Sequence, residues 1–297
     1  MEELLDSTPL LKNPRQLRER MARDGYLLLR SALPAVEIRE AADAVERILT
    51  DGGWIDEKGN AQHEPASTPY QERDPAYRAA AQAPAFNRIP YLDQLHGLIQ
   101  NLLEHDVFSL PSKVLRATPP AAWITESGRY VHQDFSYWGV NDMLTTWMPL
   151  MDIPRELGGL AVLPGSQIGP PRPLRVLSDD EPGWATTDYR LGDVVIFHCL
   201  TAHAALPNKT DGLRRSADFR WQRTDEPVRR EFILGQGDRT DELFARRFHN
   251  EAWWRPVPDE VRLIEGMWDQ IIRPTPSRFF SVHEDWNSWD GAKEEQE

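Results

Sequence analysis

The chain has one cysteine, Cys199, among 297 residues. A single thiol excludes an internal disulfide, and it also excludes a metal site built from several cysteines. The sequence contains no Gly-x-Ser-x-Gly turn, no His-Glu-x-x-His helix and no phosphate-binding glycine loop. A hydrolase that depends on one of these motifs is therefore not indicated, and the chemistry has to come from other residues.

Basic residues are fewer than acidic residues. The chain carries 34 Lys and Arg residues against 47 Asp and Glu residues, a formal net charge of −13. Because an acidic surface repels a phosphate backbone, we expect no nucleic-acid partner. We expect a small-molecule substrate instead, and the sequence does not indicate an oligomeric state.

Long apolar runs are missing. No segment approaches the roughly 18 apolar residues that a membrane-spanning helix needs. The first residues, MEELLDSTPLLKNPRQ, lack the basic start and the apolar stretch of a secretory signal. We therefore expect no membrane partner and, by default, a cytoplasmic protein.

The N-terminal third has helical periodicity interrupted by one apolar strand. The pattern predicts helices over 14–24, 34–49 and 91–104, with the first ended by Gly25. Tyr26-Leu27-Leu28-Leu29 reads as a buried strand, and residues 51–83 are polar and turn-rich, which indicates a loop or lid.

From Val107 to about Arg223, short apolar segments alternate with Pro, Gly and Asp. Many short strands separated by turn residues are typical of a sandwich or barrel, so we expect a mainly β fold with flanking helices. The predicted strands cover 107–117, 129–136, 143–151, 159–163, 174–178, 193–198, 201–206 and 215–223.

We expect one domain over residues 1–297. Its parts would be an N-terminal helical support with the lid loop (1–106), a β core (107–224) and a Trp-rich helical or irregular extension (225–297).

His132-Gln133-Asp134 lies in one of the predicted strands. Side chains two residues apart on a strand share a face, so this imidazole and this carboxylate would point to the same spot. With a second histidine from a neighbouring strand they would form a 2-His-1-carboxylate metal site. The spacing alone is a weak signal, because His283-Glu284-Asp285 and the near match His249-Asn250-Glu251 also occur. We interpret those two as surface residues, since no histidine-bearing strand follows them.

The second histidine follows a turn and a buried strand, Gly192 to His198. His203 comes next, and Arg214 stands eleven residues after it, a spacing that suits two neighbouring strands. A guanidinium can pair with a carboxylate through two hydrogen bonds, and 2-oxoglutarate has such a carboxylate at its distal end. Ser216 would share the strand face of Arg214 and could donate its hydroxyl to the same carboxylate.

These segments together resemble the phytanoyl-CoA dioxygenase-like family of iron(II)- and 2-oxoglutarate-dependent oxygenases across most of residues 20–224. The resemblance rests on motifs that occur in the family's order, namely Asp24–Arg30, His132-Gln133-Asp134, Trp147 with Pro149-Leu150, Gly158–Ser166, Gly192-Asp193-Val194, His203, Asn208 and Arg214.

The resemblance implies a double-stranded β-helix, the jelly roll of cupin-like proteins. It implies that His132, Asp134 and His203 bind Fe(II), that Arg214 binds 2-oxoglutarate, and that O2 is the other co-substrate. By the same resemblance Trp147 lines the 2-oxoglutarate pocket. The implied reaction is hydroxylation or a related oxidation of an unactivated C–H bond in a small organic substrate, such as a secondary metabolite, with release of succinate and CO2. Halogenating relatives lack the carboxylate, so the presence of Asp134 favours hydroxylation.

Several alternatives remain open. His198 competes with His203 as the third ligand, Arg215 could take the place of Arg214, and Trp147 could be a core residue. A non-redox cupin-like metal-binding protein and a catalytically silent family member are the alternative functions.

Aromatic residues around the predicted site suit an apolar or ring-bearing substrate, although core packing would explain them equally well. The candidate substrate contacts are Phe135, Tyr137, Trp138, Trp123, Arg129 and Trp221. The 51–83 loop and the Trp-rich C-terminal segment are candidate lids that would exclude water.

Overall fold

A computed structural model of the chain describes residues 1–62, 74–111, 113–123, 130–173, 175–178, 181–229, 250–254, 257–264, 274 and 276–287. Two residues discussed above, Arg129 and His249, lie outside the described residues. So do residues 63–73 of the predicted lid and most of the C-terminal extension.

The helices are α1 Pro14–Asp24, α2 Ala35–Asp51, α3 Pro75–Ala81, α4 Pro84–Arg88, α5 Asp93–Leu103 and α6 Phe135–Trp138. The three predicted helices are confirmed to within two residues at each end. Gly25 ends α1 with a left-handed backbone at φ 77°. A Cβ there would overlap the side chains of Gln167 and Thr201, so only glycine fits this turn into β2.

The prediction of a loop over 51–83 is wrong at its C-terminal end, where α3 lies. Asp74 caps this helix by accepting hydrogen bonds from the backbone N–H groups of Ala76 and Tyr77, and Pro75 occupies the first helical position. This capping pattern is a sequence signal for a helix start. Residues 51–62, at the start of the segment, pack on the protein instead of forming a separate lid, because Trp54 is buried in the main core.

The strands are short, as the turn-rich pattern predicts. They are β1 Glu2–Glu3, β2 Tyr26–Leu29, β3 Val107–Ser109, β4 Val114–Thr118, β5 Tyr130–Val131, β6 Leu144–Pro149, β7 Leu160–Val162, β8 Arg175–Val176, β9 Ala185–Thr186, β10 Val194–His198, β11 His203–Ala205, β12 Arg214–Arg223, β13 Val228–Arg229 and β14 Leu263–Ile264.

The larger sheet has the order β2-β10-β6-β12-β3, and β4 also pairs with β12. The smaller sheet has the order β1-β9-β7-β11, and β5-β8 and β13-β14 form separate pairs. Trp147 and Phe197 of the larger sheet pack in one cluster with Leu160 and Val162 of the smaller sheet. The two sheets therefore face each other, at least over this cluster.

Helices α1, α2 and α5 cover the outer side of the larger sheet. On β12 the side chains of Ala217, Phe219 and Trp221 join this helix-facing core. Burial of a large apolar side chain contributes about 1.5–3 kcal/mol, so this layer holds the helices on the sheet. Because side chains alternate along a strand, the residues between these three face the opposite way, toward the interior between the sheets.

Two predicted strands differ from the structure. The 107–117 segment is divided into β3 and β4 around Pro111, which has no N–H to donate to a ladder. The 129–136 segment is a strand only at Tyr130 and Val131 among its described residues, and it turns into α6 after Asp134. The two-residue strands β1, β9, β13 and β14 were not predicted, because they are too short to produce a pattern. Among the described residues, no helix has both the length and the apolar character required to cross a membrane.

Candidate metal centre

His132 and His203 are joined by two backbone hydrogen bonds between β5 and β11. The N–H of His132 donates to the carbonyl of His203 at 3.1 Å, and the N–H of His203 donates back at 3.0 Å. This pairing brings the two imidazole rings to a centroid separation of 4.2 Å. The backbone pairing of two strand ends thus positions both histidines.

Each imidazole has its Nδ1 next to a carbonyl oxygen. Nδ1 of His132 lies 3.0 Å from the carbonyl of Tyr130, and Nδ1 of His203 lies 3.0 Å from the carbonyl of Thr201. Since a carbonyl can only accept, these contacts favour the tautomer with the proton on Nδ1. Nε2 of both rings is then free to bind a metal ion.

Asp134 completes the group. Its Oδ1 lies 3.7 Å from Nε2 of His132 and 3.7 Å from Nε2 of His203. One donor atom from each of the three residues lies within 4.8 Å of the others. Two ligand atoms about 2.1 Å from one ion are at most about 4.2 Å apart, and both 3.7 Å separations lie within this limit, so the group fits a single metal ion.

The structural reason for this arrangement differs from the predicted one. Asp134 does not continue the strand but precedes α6 with helical backbone angles, φ −56° and ψ −29°. Gly139, with φ 60°, ends this short helix. The predicted proximity of His132 and Asp134 occurs, but it comes from a strand-to-helix turn rather than from a shared strand face.

The second carboxylate oxygen of Asp134 has other partners. Oδ2 accepts a hydrogen bond from Oγ1 of Thr145 at 2.5 Å and lies 3.7 Å from Nε of Arg220. Burial would raise the pKa of Asp134, but the Arg220 guanidinium, the imidazoles and the Thr145 hydroxyl outweigh it and hold the pKa well below its usual range. The carboxyl group is therefore ionised, with Oδ1 directed to the histidines.

Both histidines are neutral near pH 7. Burial lowers the pKa of His132 and lowers the pKa of His203 to about 3. A metal ion binds the neutral imidazole, so this environment leaves the two ligands ready for an ion. Two neutral imidazoles and one carboxylate are the donors that suit Fe(II) with open coordination positions.

Arg214 lies on the interior face of β12 and is buried. Its Nη1 donates to the carbonyl of Gly158, and its Nη2 donates to Oγ1 of Thr118 at 2.7 Å. Burial lowers its pKa to about 10, so it stays charged. Its Nε and the buried hydroxyl of Ser216, two residues on, have no hydrogen-bond partner among the described residues.

Buried polar groups normally have partners, so the unused atoms of Arg214 and Ser216 fit a bound anion such as a carboxylate. Gly158 is part of this arrangement. It has φ 76°, and a Cβ there would overlap the carbonyls of Leu206 and Pro207. Only glycine therefore lets the chain approach closely enough to present its carbonyl to Arg214.

Arg215 faces the other side of β12. Its Nη2 lies 3.1 Å from Oε2 of Glu46 on α2, so it pairs with the helical layer. Trp147 pairs in register with Asp218 of β12, is buried between the sheets, and packs edge-on against Tyr189 at 4.6 Å. Both placements follow from strand alternation.

His198 lies outside the metal group. It is buried, and its Nε2 lies 3.1 Å from Oδ1 of Asp142, with the ring of Phe280 at 4.8 Å. His283 and Asp285 are partly exposed and contact each other at 3.5 Å. The structure therefore brings His203, and not these residues, to Asp134.

Two predicted substrate contacts lie beside the group. The Tyr137 ring packs edge-on against His132 at 5.6 Å and is 39% exposed. The guanidinium carbon of Arg220 lies 5.0 Å from the centre of the Trp138 ring. Both aromatic side chains come from α6, directly after Asp134.

Three other predicted substrate contacts require correction. Phe135 is buried in a core cluster against Trp286, with ring centres 5.6 Å apart. Trp221 lies on the helix-facing side of β12, where its Nε1 donates to Oγ1 of Thr146 at 3.1 Å. Trp123 is only partly buried and packs against the same helical core. Arg129, the remaining candidate, lies outside the described residues.

Four interior residues were missed at the sequence level, namely Thr145, Arg116, Asp218 and Arg220. Asp218 and Arg220 continue the alternation that relates Ser216 to Arg214, so the strand period would have identified them. Arg116 pairs in register with Ser216. Thr145 lies two residues before Trp147 on β6, and the same period would have placed it on the interior face.

Comparisons with known proteins show what the chain is similar to. The family model described as phytanoyl-CoA dioxygenase (PhyH) matches residues 21–216. A 1-deoxypentalenic acid 11-beta-hydroxylase from Streptomyces exfoliatus is 29% identical over 253 residues, covering 75% of this chain and 86% of the relative.

Two solved structures share the fold. The apo form of the non-heme monooxygenase ThoJ matches with a TM-score of 0.54 at 22% identity, covering 71% of this chain and 79% of that one. EctD from S. alaskensis, solved with 2-oxoglutarate and 5-hydroxyectoine, matches with a TM-score of 0.54 at 20% identity, covering 89% of this chain and 91% of that one. At these identities the likeness is one of fold.

Proposed function

Because the chain belongs to the phytanoyl-CoA dioxygenase family of iron(II)- and 2-oxoglutarate-dependent oxygenases, we propose that it hydroxylates a C–H bond of a small organic substrate. The observation that carries the proposal is the convergence of His132, Asp134 and His203, with one donor atom of each within 4.8 Å of the others. This is the donor set of non-haem iron(II) oxygenases, which leaves positions on the metal open. We assign the three residues as the iron ligands.

Arg214 and Ser216 are the proposed binding residues for the distal carboxylate of 2-oxoglutarate. The buried guanidinium supplies charge, and the unpartnered Arg214 Nε and Ser216 Oγ supply hydrogen bonds. Trp147, on the same interior face, is the proposed wall of this pocket. EctD, whose fold this chain shares, binds 2-oxoglutarate.

The two facing sheets are the proposed halves of a double-stranded β-helix, a jelly roll with helices on one outer face. We propose one oxygenase domain over residues 1–297, supported by a core that mixes helices from 1–106 with strands from 107–224. Trp286 of the 225–297 extension packs on Phe135 next to Asp134, which links that extension to the site.

Iron(II), 2-oxoglutarate and O2 supply the oxidising chemistry, in which 2-oxoglutarate is converted to succinate and CO2 and the substrate gains a hydroxyl group. The protein holds the groups in place. The carbonyls of Tyr130 and Thr201 orient the two imidazoles, and Thr145 holds the free oxygen of Asp134. Arg214 fixes the far end of the co-substrate.

The proposed substrate is a small secondary metabolite with an apolar skeleton. Tyr137 and Trp138 supply aromatic surface next to the metal ligands. The relative at 29% identity is a hydroxylase of 1-deoxypentalenic acid, a small organic acid by its name.

Succinate formation tests the proposal. The protein is loaded anaerobically with Fe(II) and 2-oxoglutarate, mixed with oxygenated buffer containing one candidate metabolite at a time, and assayed for succinate and hydroxylated product. We expect iron-dependent succinate release that a substrate stimulates and that His203→Ala abolishes. Failure of the wild-type protein to bind 2-oxoglutarate in the presence of metal would overturn the proposal.

A further inference from the structure

Arg220 is a buried cation with unused hydrogen-bond donors. The residue is 5% exposed, and it lies on the interior face of β12, six residues after Arg214. Its Nε and Nη1 have no hydrogen-bond partner among the described residues. Leaving N–H donors of a charged group buried and unsatisfied is costly, so such an arrangement indicates a missing partner.

The two carboxylates nearest to Arg220 do not hydrogen-bond to it. Oδ2 of Asp218 accepts a 2.6 Å hydrogen bond from Nε of Arg116, and Arg220 Nη2 stays 3.7 Å away from that oxygen. Asp134 lies 3.7 Å from Arg220 Nε and, in the proposed function, is a ligand of the iron ion. Both distances exceed that of a hydrogen bond.

The charges on the interior face do not balance. Among the described residues there, Arg116, Arg214 and Arg220 stand against Asp134 and Asp218, which leaves one excess positive charge. Iron(II) adds two positive charges and 2-oxoglutarate adds two negative charges, so loading the site leaves the excess unchanged. An uncompensated charge on a buried side chain is costly, so Arg220 needs a counter-ion.

We propose that Arg220 binds a carboxylate of the substrate, so that the protein acts on small organic monoacids. The inference rests on the proposed function and names the substrate class of that site. The Trp138 ring, 5.0 Å from the Arg220 guanidinium, holds the cation from one side and extends an apolar surface for the skeleton attached to the carboxylate. A monoanion neutralises the excess charge and fills the unused donors.

Anaerobic binding separates this role from turnover. The protein is loaded with Mn(II) and saturating 2-oxoglutarate, which occupies the Arg214 site, and titrated calorimetrically with 1-adamantanecarboxylate or with the neutral 1-adamantanecarboxamide. We expect the wild-type protein to bind the acid roughly 10- to 100-fold more tightly than the amide, the range for charge-assisted hydrogen bonds.

Three variants test the residue. Arg220→Gln should lower the affinity for the acid to that for the amide and leave the affinity for the amide unchanged, in titrations where Mn(II) and 2-oxoglutarate are raised until they saturate the variant. Arg220→Lys should restore part of the preference. Arg223→Gln is the matched control, because Arg223 is on the same strand as Arg220 but pairs with Asp225. This variant should bind both probes as the wild type does.

The inference is overturned if the wild-type protein does not prefer the acid, or binds neither probe, or if Arg220→Gln keeps the preference. Titrations of Mn(II) and 2-oxoglutarate into the wild-type protein are run alongside. If these bind normally while the acid is not preferred, only the substrate class is wrong. If these also fail, the proposed function fails with it.

Discussion

The Thr145 hydroxyl donates a 2.5 Å hydrogen bond to Oδ2 of Asp134, while Oδ1 of the same carboxylate lies 3.7 Å from both imidazole Nε2 atoms. The two oxygens therefore have separate tasks. One faces the metal position, and the other is held by Thr145, with the Arg220 guanidinium 3.7 Å away. A carboxylate anchored in this way is set to bind iron through one oxygen and to leave the remaining positions open.

Replacing Thr145 should weaken metal binding. Thr145→Val keeps the shape but removes the hydroxyl, and loss of a group that orients a ligand typically lowers metal affinity 10- to 100-fold. Thr145→Ser should retain affinity close to that of the wild type. The measurement is the Mn(II) dissociation constant from calorimetric titration.

Thr146→Val is the matched control, because Thr146 faces the helical layer. Its hydroxyl accepts a hydrogen bond from Nε1 of Trp221 and donates one to the carbonyl of Phe219. It should cost stability without changing Mn(II) affinity. Equal effects of the two valine variants on metal binding would show that the Thr145 contact is not specific.

Arg214 and Arg215 provide a neighbouring pair that separates co-substrate binding from stability. Arg214→Gln removes the charge that the account assigns to the 2-oxoglutarate carboxylate, and a lost charge-assisted hydrogen-bonded contact should weaken binding roughly 10- to 100-fold. Arg215→Gln removes only the pairing with Glu46 on α2. It should lower the melting temperature and leave 2-oxoglutarate affinity unchanged. A larger loss of affinity in the Arg215 variant would reverse the assignment.

His203 and His198 can be distinguished as metal ligands. His203→Ala should abolish stoichiometric Fe(II) binding, because it removes one of three protein ligands. His198→Ala removes a buried contact to Asp142, so it should reduce stability. Most of the protein should stay folded, and the folded protein should still bind iron. Metal content of the folded protein, measured after gel filtration, checks both. Retention of iron by the His203 variant and its loss from the His198 variant would make His198 the ligand.

The stability of the metal-free protein should depend on pH through His203. Burial lowers the pKa of this imidazole from 6.5 to about 3, so the unfolded chain binds a proton that the folded chain does not bind between these values. Stability therefore rises with pH across this window and is lost as pH falls below 6.5. Between pH 7 and pH 5 this group should remove about 2 kcal/mol of the free energy of unfolding.

Urea unfolding in the presence of a chelator, at pH 7 and at pH 5, measures this change. His203→Gln should lose less stability over the interval than the wild type, by about 2 kcal/mol. His283→Gln, at a partly exposed position, should behave as the wild type does. An identical loss in the wild type and in His203→Gln would exclude the assigned pKa.

Much of the architecture could be predicted because it depends on local patterns. The helix over 14–24 is defined by apolar spacing and by a glycine that ends it, and the short strands by their turn residues. The helix at Pro75–Ala81 was missed although its Asp-Pro start is a local signal, because the polar residues around it favoured a loop.

The metal group was predictable for a reason that proved partly wrong. His132 and Asp134 are close because they are two residues apart, whether the chain continues as a strand or turns into a helix. Their distance from His203 depends on strand pairing, which the sequence supplied only through family resemblance. The Arg220 contact with Trp138 depends on how β12 meets α6, and no local pattern contains that information.

Aromatic residues show most clearly what could not be predicted from the sequence. Trp138 and Trp221 both lay near the predicted site in the sequence, and both were assigned to the substrate pocket. Trp138 packs on Arg220. Trp221 is buried under the helices, where its Nε1 donates a hydrogen bond to Thr146. Composition and proximity cannot assign the face of a strand, whereas counting in twos from Arg214 would have placed Trp221 on the outer side.

The location of the metal is the most direct test of this account. Crystals grown anaerobically with Mn(II) and 2-oxoglutarate would give an anomalous scattering peak at the ion. The account predicts one peak bound by Nε2 of His132, Oδ1 of Asp134 and Nε2 of His203, with the distal carboxylate of 2-oxoglutarate on Arg214. A peak coordinated by other residues, or a co-substrate directed away from Arg214, would contradict it.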